Sequence, residues 1–300
     1  MSKLYLLLTA LLLSVGAYGQ TAKVQVIHNS PTPGTTTGPI VDIYVNDALL
    51  PELTAVPFRA ATPFLDVAAG VDIEIAVAVS PSNSSADAIA TFDVGQLDED
   101  GVYVITAAGI VGDTDAPFDL FVNAMGRTAS GSPGQVAFTT FHGSPDAPNV
   151  DVDAFAVGNL ISDLAFGDYT DYLAVAPANY FLNVRAAGDP NVVATFQADL
   201  SALADAAAVV FASGLLGDTP NFGLFAALPD GTVVEFPAVQ TTRVQIIHNS
   251  PSPTVDIYTN GFLLLDDFEF RTATPFVDVP ADVEIDLAVA PETSTSAADA

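Results

Sequence analysis

All three histidines of the chain lie in one recurring setting: His28-Asn29-Ser30-Pro31, His142-Gly143-Ser144-Pro145 and His248-Asn249-Ser250-Pro251. Each is followed by a Val-Asp pair that supplies Asp42, Asp151 or Asp256. Histidine, serine and aspartate are the parts of a charge relay, and histidine with carboxylates is also a metal-ligand set. A structural role suits the same residues: the imidazole hydrogen-bonds a neighbouring strand or turn while Ser-Pro shapes the exit. One histidine per repeat is too few for zinc, and no second base accompanies the serine, so the structural role is the expectation.

Arg59 and Arg271 share a second position, between a phenylalanine and a small residue and just before Thr-Pro-Phe; the second repeat has Gly167 there. In a chain so short of cations, arginine is expected to pair with a carboxylate of its own domain and to stack on an aromatic ring. Two acidic loops, Asp98-Glu99-Asp100-Gly101 and Asp113-Thr114-Asp115, gather oxygens of the kind that hold Ca²⁺. Neither fills a 12-residue EF-hand loop, so solvated acidic turns are the default reading. Asp151 and Asp153 lie two apart on one strand face, but among so many aspartates no glycosidase pair stands out. There is no Gly-x-Ser-x-Gly elbow, no phosphate loop ending in lysine and no cysteine nucleophile. The expectation is a non-enzyme without a cofactor, Ca²⁺ being the one candidate ion.

These residues must be positioned by strands. Val71-Asp72-Ile73-Glu74-Ile75-Ala76-Val77 and Val283-Glu284-Ile285-Asp286-Leu287-Ala288-Val289 alternate apolar with polar or small residues, the period of a half-buried strand. In the first repeat, strands are expected near 23–28, 41–46, 64–67, 71–79, 89–94, 102–109 and 117–123. Seven short strands with Pro, Gly, Asn and Asp turns predict an all-β fold of tandem immunoglobulin-like antiparallel β-sandwich domains. Leu200 to Ala208 is the one stretch that competes as helix, and a turn or a single helical turn is expected there.

The repeats set the domain plan. Phe58-Arg59-Ala60-Ala61-Thr62-Pro63-Phe64 returns as Phe270-Arg271-Thr272-Ala273-Thr274-Pro275-Phe276. The histidines are 114 and then 106 residues apart, the difference being mostly a Pro/Gly/Thr insertion, Thr32 to Ile40, in the first repeat. Periods above about 100 residues mean whole tandem domains rather than solenoid units. Copy one is placed at 22–128, copy two at 133–239 and an incomplete copy three at 241–300. Copy three is expected to continue in a longer protein. Each copy is expected to fold by itself as a monomer.

Residues 1–19 combine Lys3, an apolar run from Leu4 to Val15 and small residues before Gln20, the pattern of a secretory signal peptide. The rest holds no membrane span, so an extracellular or cell-surface location, outer-membrane association included, is expected. There is no cysteine, so the domains must stand on their cores. With 36 acidic against 7 basic residues the net charge is −29, and −30 without Lys3. Such a surface repels nucleic acid and anionic lipid and suits high salt or a wall rich in divalent cations.

The string His-Asn-Ser-Pro, then Val-Asp-Ile-Tyr with Asn260-Gly261 close behind, Leu264-Leu265-Asp266-Asp267-Phe268, Phe-Arg-x-Ala-Thr-Pro-Phe and Ala288-Val289-Ala290-Pro291 resembles the domain of unknown function 4397 family. The resemblance implies secreted or cell-surface bacterial and archaeal proteins with repeated β-rich domains, and no catalytic residues to carry over. The leader ending in Gly19-Gln20 resembles those of Bacteroidetes-type exported proteins. Two roles fit: a structural or adhesive surface protein that binds a protein or polysaccharide ligand, and the accessory, carbohydrate-binding part of a polysaccharide-degrading enzyme.

Overall fold

The computed structural model describes residues 20–300, and the expected signal peptide lies outside the described residues. Copy one contributes β1 (Thr21–His28), β2 (Val41–Val45), β3 (Ala48–Leu49), β4 (Ala60–Ala61), β5 (Leu65–Ala68), β6 (Asp72–Val79), β7 (Ala88–Gln96), β8 (Val102–Ala108) and β9 (Asp119–Asn123). They form two sheets, β4-β1-β8-β9 with β5 also on β1, and β3-β2-β6-β7. The alternation read in β6 sends Ile73, Ile75 and Val77 into a core with Val24, Val26, Val41, Ile43 and Ile105. Asn46 and Asp47 both take positive φ, 47° and 65°, which the tight β2–β3 hairpin requires.

Copy two repeats the plan with β10 (Val136–His142), β11 (Val150–Ala154), β12 (Gly158–Leu164), β13 (Leu173–Val175), β14 (Asn179–Ala186), β15 (Val192–Asp199), β16 (Ala207–Ser213), β17 (Gly223–Ala227), β18 (Val233–Phe236) and β19 (Ala238–Val239). Its sheets are β13-β10-β16-β17-β18 and β12-β11-β14-β15-β19. Leu200 to Ala206 holds turns and no helix. Copy three adds β20 (Thr241–Val244), β21 (Val255–Thr259), β22 (Phe262–Phe268), β23 (Val277–Pro280) and β24 (Leu287–Pro291), paired as β20-β23 and β22-β21-β24. The fold is all-β, as the alternation indicated.

One pairing in each of the first two copies departs from an antiparallel sandwich. β1 runs parallel to β8, from Lys23 opposite Val102 to His28 opposite Ala107, and β10 runs parallel to β16 in the same way. Between β1 and β8 the chain crosses to the other sheet twice, for β2 and β3 and again for β6 and β7, and parallel neighbours need such a crossover instead of a hairpin.

The copies are also not separate beads. Val24 and Val26 point into copy one's own core, whereas Ile27, with Val104 and Ala108 of β8, packs against Phe141, Val209, Phe211, Phe225 and Ala227 of copy two. Ile27, Phe141 and Phe211 are completely buried there. β1 and β8 are therefore covered on both faces, and the two sandwiches stack sheet on sheet.

Candidate functional site

The three imidazoles are engaged alike. Nε2 lies 3.0 Å from the Pro39 carbonyl in His28, 2.9 Å from that of Pro148 in His142 and 3.0 Å from that of Pro253 in His248. A carbonyl only accepts, so Nε2 carries the proton and donates it. Nδ1 accepts from the Ser144 N–H in copy two and the Ser250 N–H in copy three. In copy one Nδ1 is buried and has no partner among the described residues. The serine hydroxyls point elsewhere: Ser30 donates to the Gly109 carbonyl at 2.6 Å and Ser144 to that of Gly214 at 2.8 Å. No described serine donates its hydroxyl to a histidine. Burial pushes the His28 imidazole down to about 4 against the stabilising Pro39 bond, and it lowers His142 as well.

The aspartates are held by loops. Asp42 accepts from the Ala55 N–H at 2.8 Å and from the Ser82 N–H and hydroxyl at 2.8 and 2.7 Å, while Ser82 also bonds the Tyr44 hydroxyl. Burial pushes its carboxyl up, but the hydrogen bonds from Ser82, Ala55 and Ser80 together outweigh that and hold it at about 2. Copy three repeats the arrangement with Asp256, Ser294, Tyr258 and the Asp267 N–H. In copy two Asp151 accepts from the Asp163 and Gly188 N–H groups, and Arg185 reaches Asp153 at 2.6 Å.

The acidic loops are not drawn together. Asp113 accepts from the Asp115 and Ala116 N–H groups, Glu99 accepts from Gln20, and Asp98 and Asp100 flank the turn into β8. Among the described residues, the one cluster with metal-ligand spacing is Asp256, Asp266 and Asp267. Asp256 is spent there on Ser294 and the Asp267 N–H.

Arg59 departs from the expected pairing with its own domain. Its Nε donates to the Ser213 hydroxyl at 2.9 Å and its Nη2 to the Asn221 carbonyl at 2.5 Å, both in copy two. The guanidinium lies 4.9 Å from the Phe58 ring and 4.4 Å from Phe225, so the expected stacking is present. Copy two offers fixed carbonyls and a face of Phe225 where copy one offers no ion-pair partner. The Arg59 backbone is left-handed, φ 64°, as is Arg271 at 65°, and copy two fills this conformation with Gly167 at 88°. Arg271 lies 4.8 Å from Phe270.

Two glycines explain why copy two looks diverged. A Cβ on Gly167 would come within 2.4 Å of the Phe121 ring of copy one, and one on Gly143 within 2.1 Å of Asn29 Nδ2. Asn29 uses that space to donate to the Ala212 carbonyl at 2.9 Å. The Thr32 to Ile40 insertion also crosses to copy two, with the Gly34 N–H donating to the Thr219 carbonyl at 3.1 Å. Beneath it lies a cleft of about 360 Å³ whose walls include Thr36, Arg59, Asn221, Phe222 and Glu235. Asn221, Phe222 and Glu235 were not legible as site residues in the sequence. The insertion, found in one copy only, was the available signal.

No helix among the described residues is long and apolar enough to cross a membrane. No curated protein matches the chain. The sequence profile of a domain of unknown function, DUF4397, matches residues 22–153 and again 138–226. The first match runs on into β10 and β11, so the two overlap across the start of copy two. With two tandem matches over most of its length, the chain belongs to the DUF4397 family.

Proposed function

We propose that this is an exported, non-catalytic surface protein whose first two copies form one stiff block that displays ligand-binding loops. The observation that carries this reading is the buried seam of Ile27, Val104, Phe141, Phe211 and Phe225, which fixes one sandwich against the next. It is supported by the repeated His and Ser side chains being spent on backbone carbonyls at strand exits, with no serine hydroxyl among the described residues donated to a histidine. Loops held on a rigid scaffold are where binding residues commonly sit. The junction cleft favours the second role, a carbohydrate-binding accessory to a polysaccharide-degrading enzyme, as a special case of the first.

Expression of the whole chain in a Gram-negative host tests the export reading. The expected product lies outside the cytoplasm and begins at Gln20 or within a residue of it, by N-terminal sequencing. The purified protein should bind to an array of polysaccharides and matrix proteins without cleaving any. A cytoplasmic product that keeps Met1, or hydrolysis of an arrayed polymer, would contradict the reading.

A further inference from the structure

We propose that the cleft between copies one and two binds a neutral pyranose residue, through Arg59, Asn221 and Glu235 and against the ring of Phe222. This rests on the display reading and names the ligand class for one place on that block.

Three features converge on the cleft. Its volume of about 360 Å³ falls in the range of roughly 300–1,000 Å³ typical of small-molecule sites. Its wall includes the insertion that copy one alone carries, tied to copy two at Thr219. That insertion adds no residue to the core of either sandwich. Finally, the polar groups at the walls are unspent. Arg59 uses Nε and Nη2 on copy two, and Nη1 has no partner among the described residues. The Glu235 carboxylate, the Asn221 amide and the Thr36 hydroxyl likewise have no side-chain hydrogen bond among the described residues, and Glu235 has no ion-pair partner there.

The chemistry selects the ligand. A guanidinium donates, a carboxylate accepts, and an amide and a hydroxyl do both, which is the set needed by adjacent hydroxyls that each give one hydrogen bond and take another. Phe222 adds an apolar wall for the C–H face of a ring. One cation and one anion leave the site near neutral, and a chain of net charge −29 disfavours polyanionic sugars.

The test uses the full chain and a panel of methyl pyranosides with gluco, galacto, manno and xylo configurations, read by saturation-transfer NMR and calorimetry. At least one should bind. Glu235→Gln and Thr36→Trp alter exposed positions, so both should keep the parent's melting temperature while weakening binding by about tenfold or more. Binding that survives both variants unchanged would place the sugar elsewhere and overturn the cleft while leaving the display reading intact. No binding by any pyranoside, or binding of free amino acids in preference, would overturn the ligand class. Failure of the export and array experiments would instead remove the display reading itself.

Discussion

Phe211→Ala is expected to destabilise the protein by about 3–5 kcal/mol and to loosen copy one as well as copy two. Phe211 is fully buried on β16, its ring 5.6 Å from that of Phe225, in the cluster that also holds Ile27 and Val104 of copy one. Truncation leaves a cavity that two β-sheets cannot collapse to fill. Denaturant melts of parent and variant measure the loss. A loss below about 1 kcal/mol would mean that the sheets do not meet as described.

Acid should weaken the fold through His28, by about 3 kcal/mol between pH 6.5 and 4. The unfolded imidazole takes its proton near 6.5, whereas burial holds the folded one off until about 4. In that window the unfolded chain binds more protons, so stability is full above 6.5 and is lost as the pH falls. Asp42, held at about 2 against an ordinary 3.8, adds a further loss in the same direction below pH 4. Melts at pH 7.5, 5.5 and 4 check this against His28→Leu. That variant should start about 1–3 kcal/mol less stable, because the Pro39 bond is lost, yet fall less steeply with acid. Equal slopes in parent and variant would show that His28 is not the titrating group.

Much of the fold was written in local pattern. All seven strands expected in copy one exist, because alternation such as that of Ile73, Ile75 and Val77 reports one buried face directly. β3 and β4 escaped notice because two-residue strands are defined by their partners and not by their own sequence. The parallel pairing of β1 with β8 is likewise a property of the crossover. The runs Val102 to Ala108 and Ala207 to Ser213 are apolar on both faces, which signals double burial but not what covers the second face.

The candidate site was legible by halves. The repeated His and Asp positions stood out, and their backbone partners became visible only once loops such as Pro39 and Ala55 were folded back. Arg59 stood out too, but its partners lie 154 and 162 residues away in another copy. Gly143 and Gly167, which stand where copy one has Asn29 and Arg59, carry no signal of their own in the sequence, and each makes room for copy one. Only a view of both copies together gives that substitution its cause.

Hydrogen exchange of the intact chain tests the stacked block most directly. The amides of β1 and β8 in copy one and of β10 and β16 in copy two should share the slowest exchange, and Phe211→Ala should accelerate all four together. Acceleration confined to β10 and β16, with β1 and β8 as protected as in the parent, would contradict the stacking of the two copies into one unit.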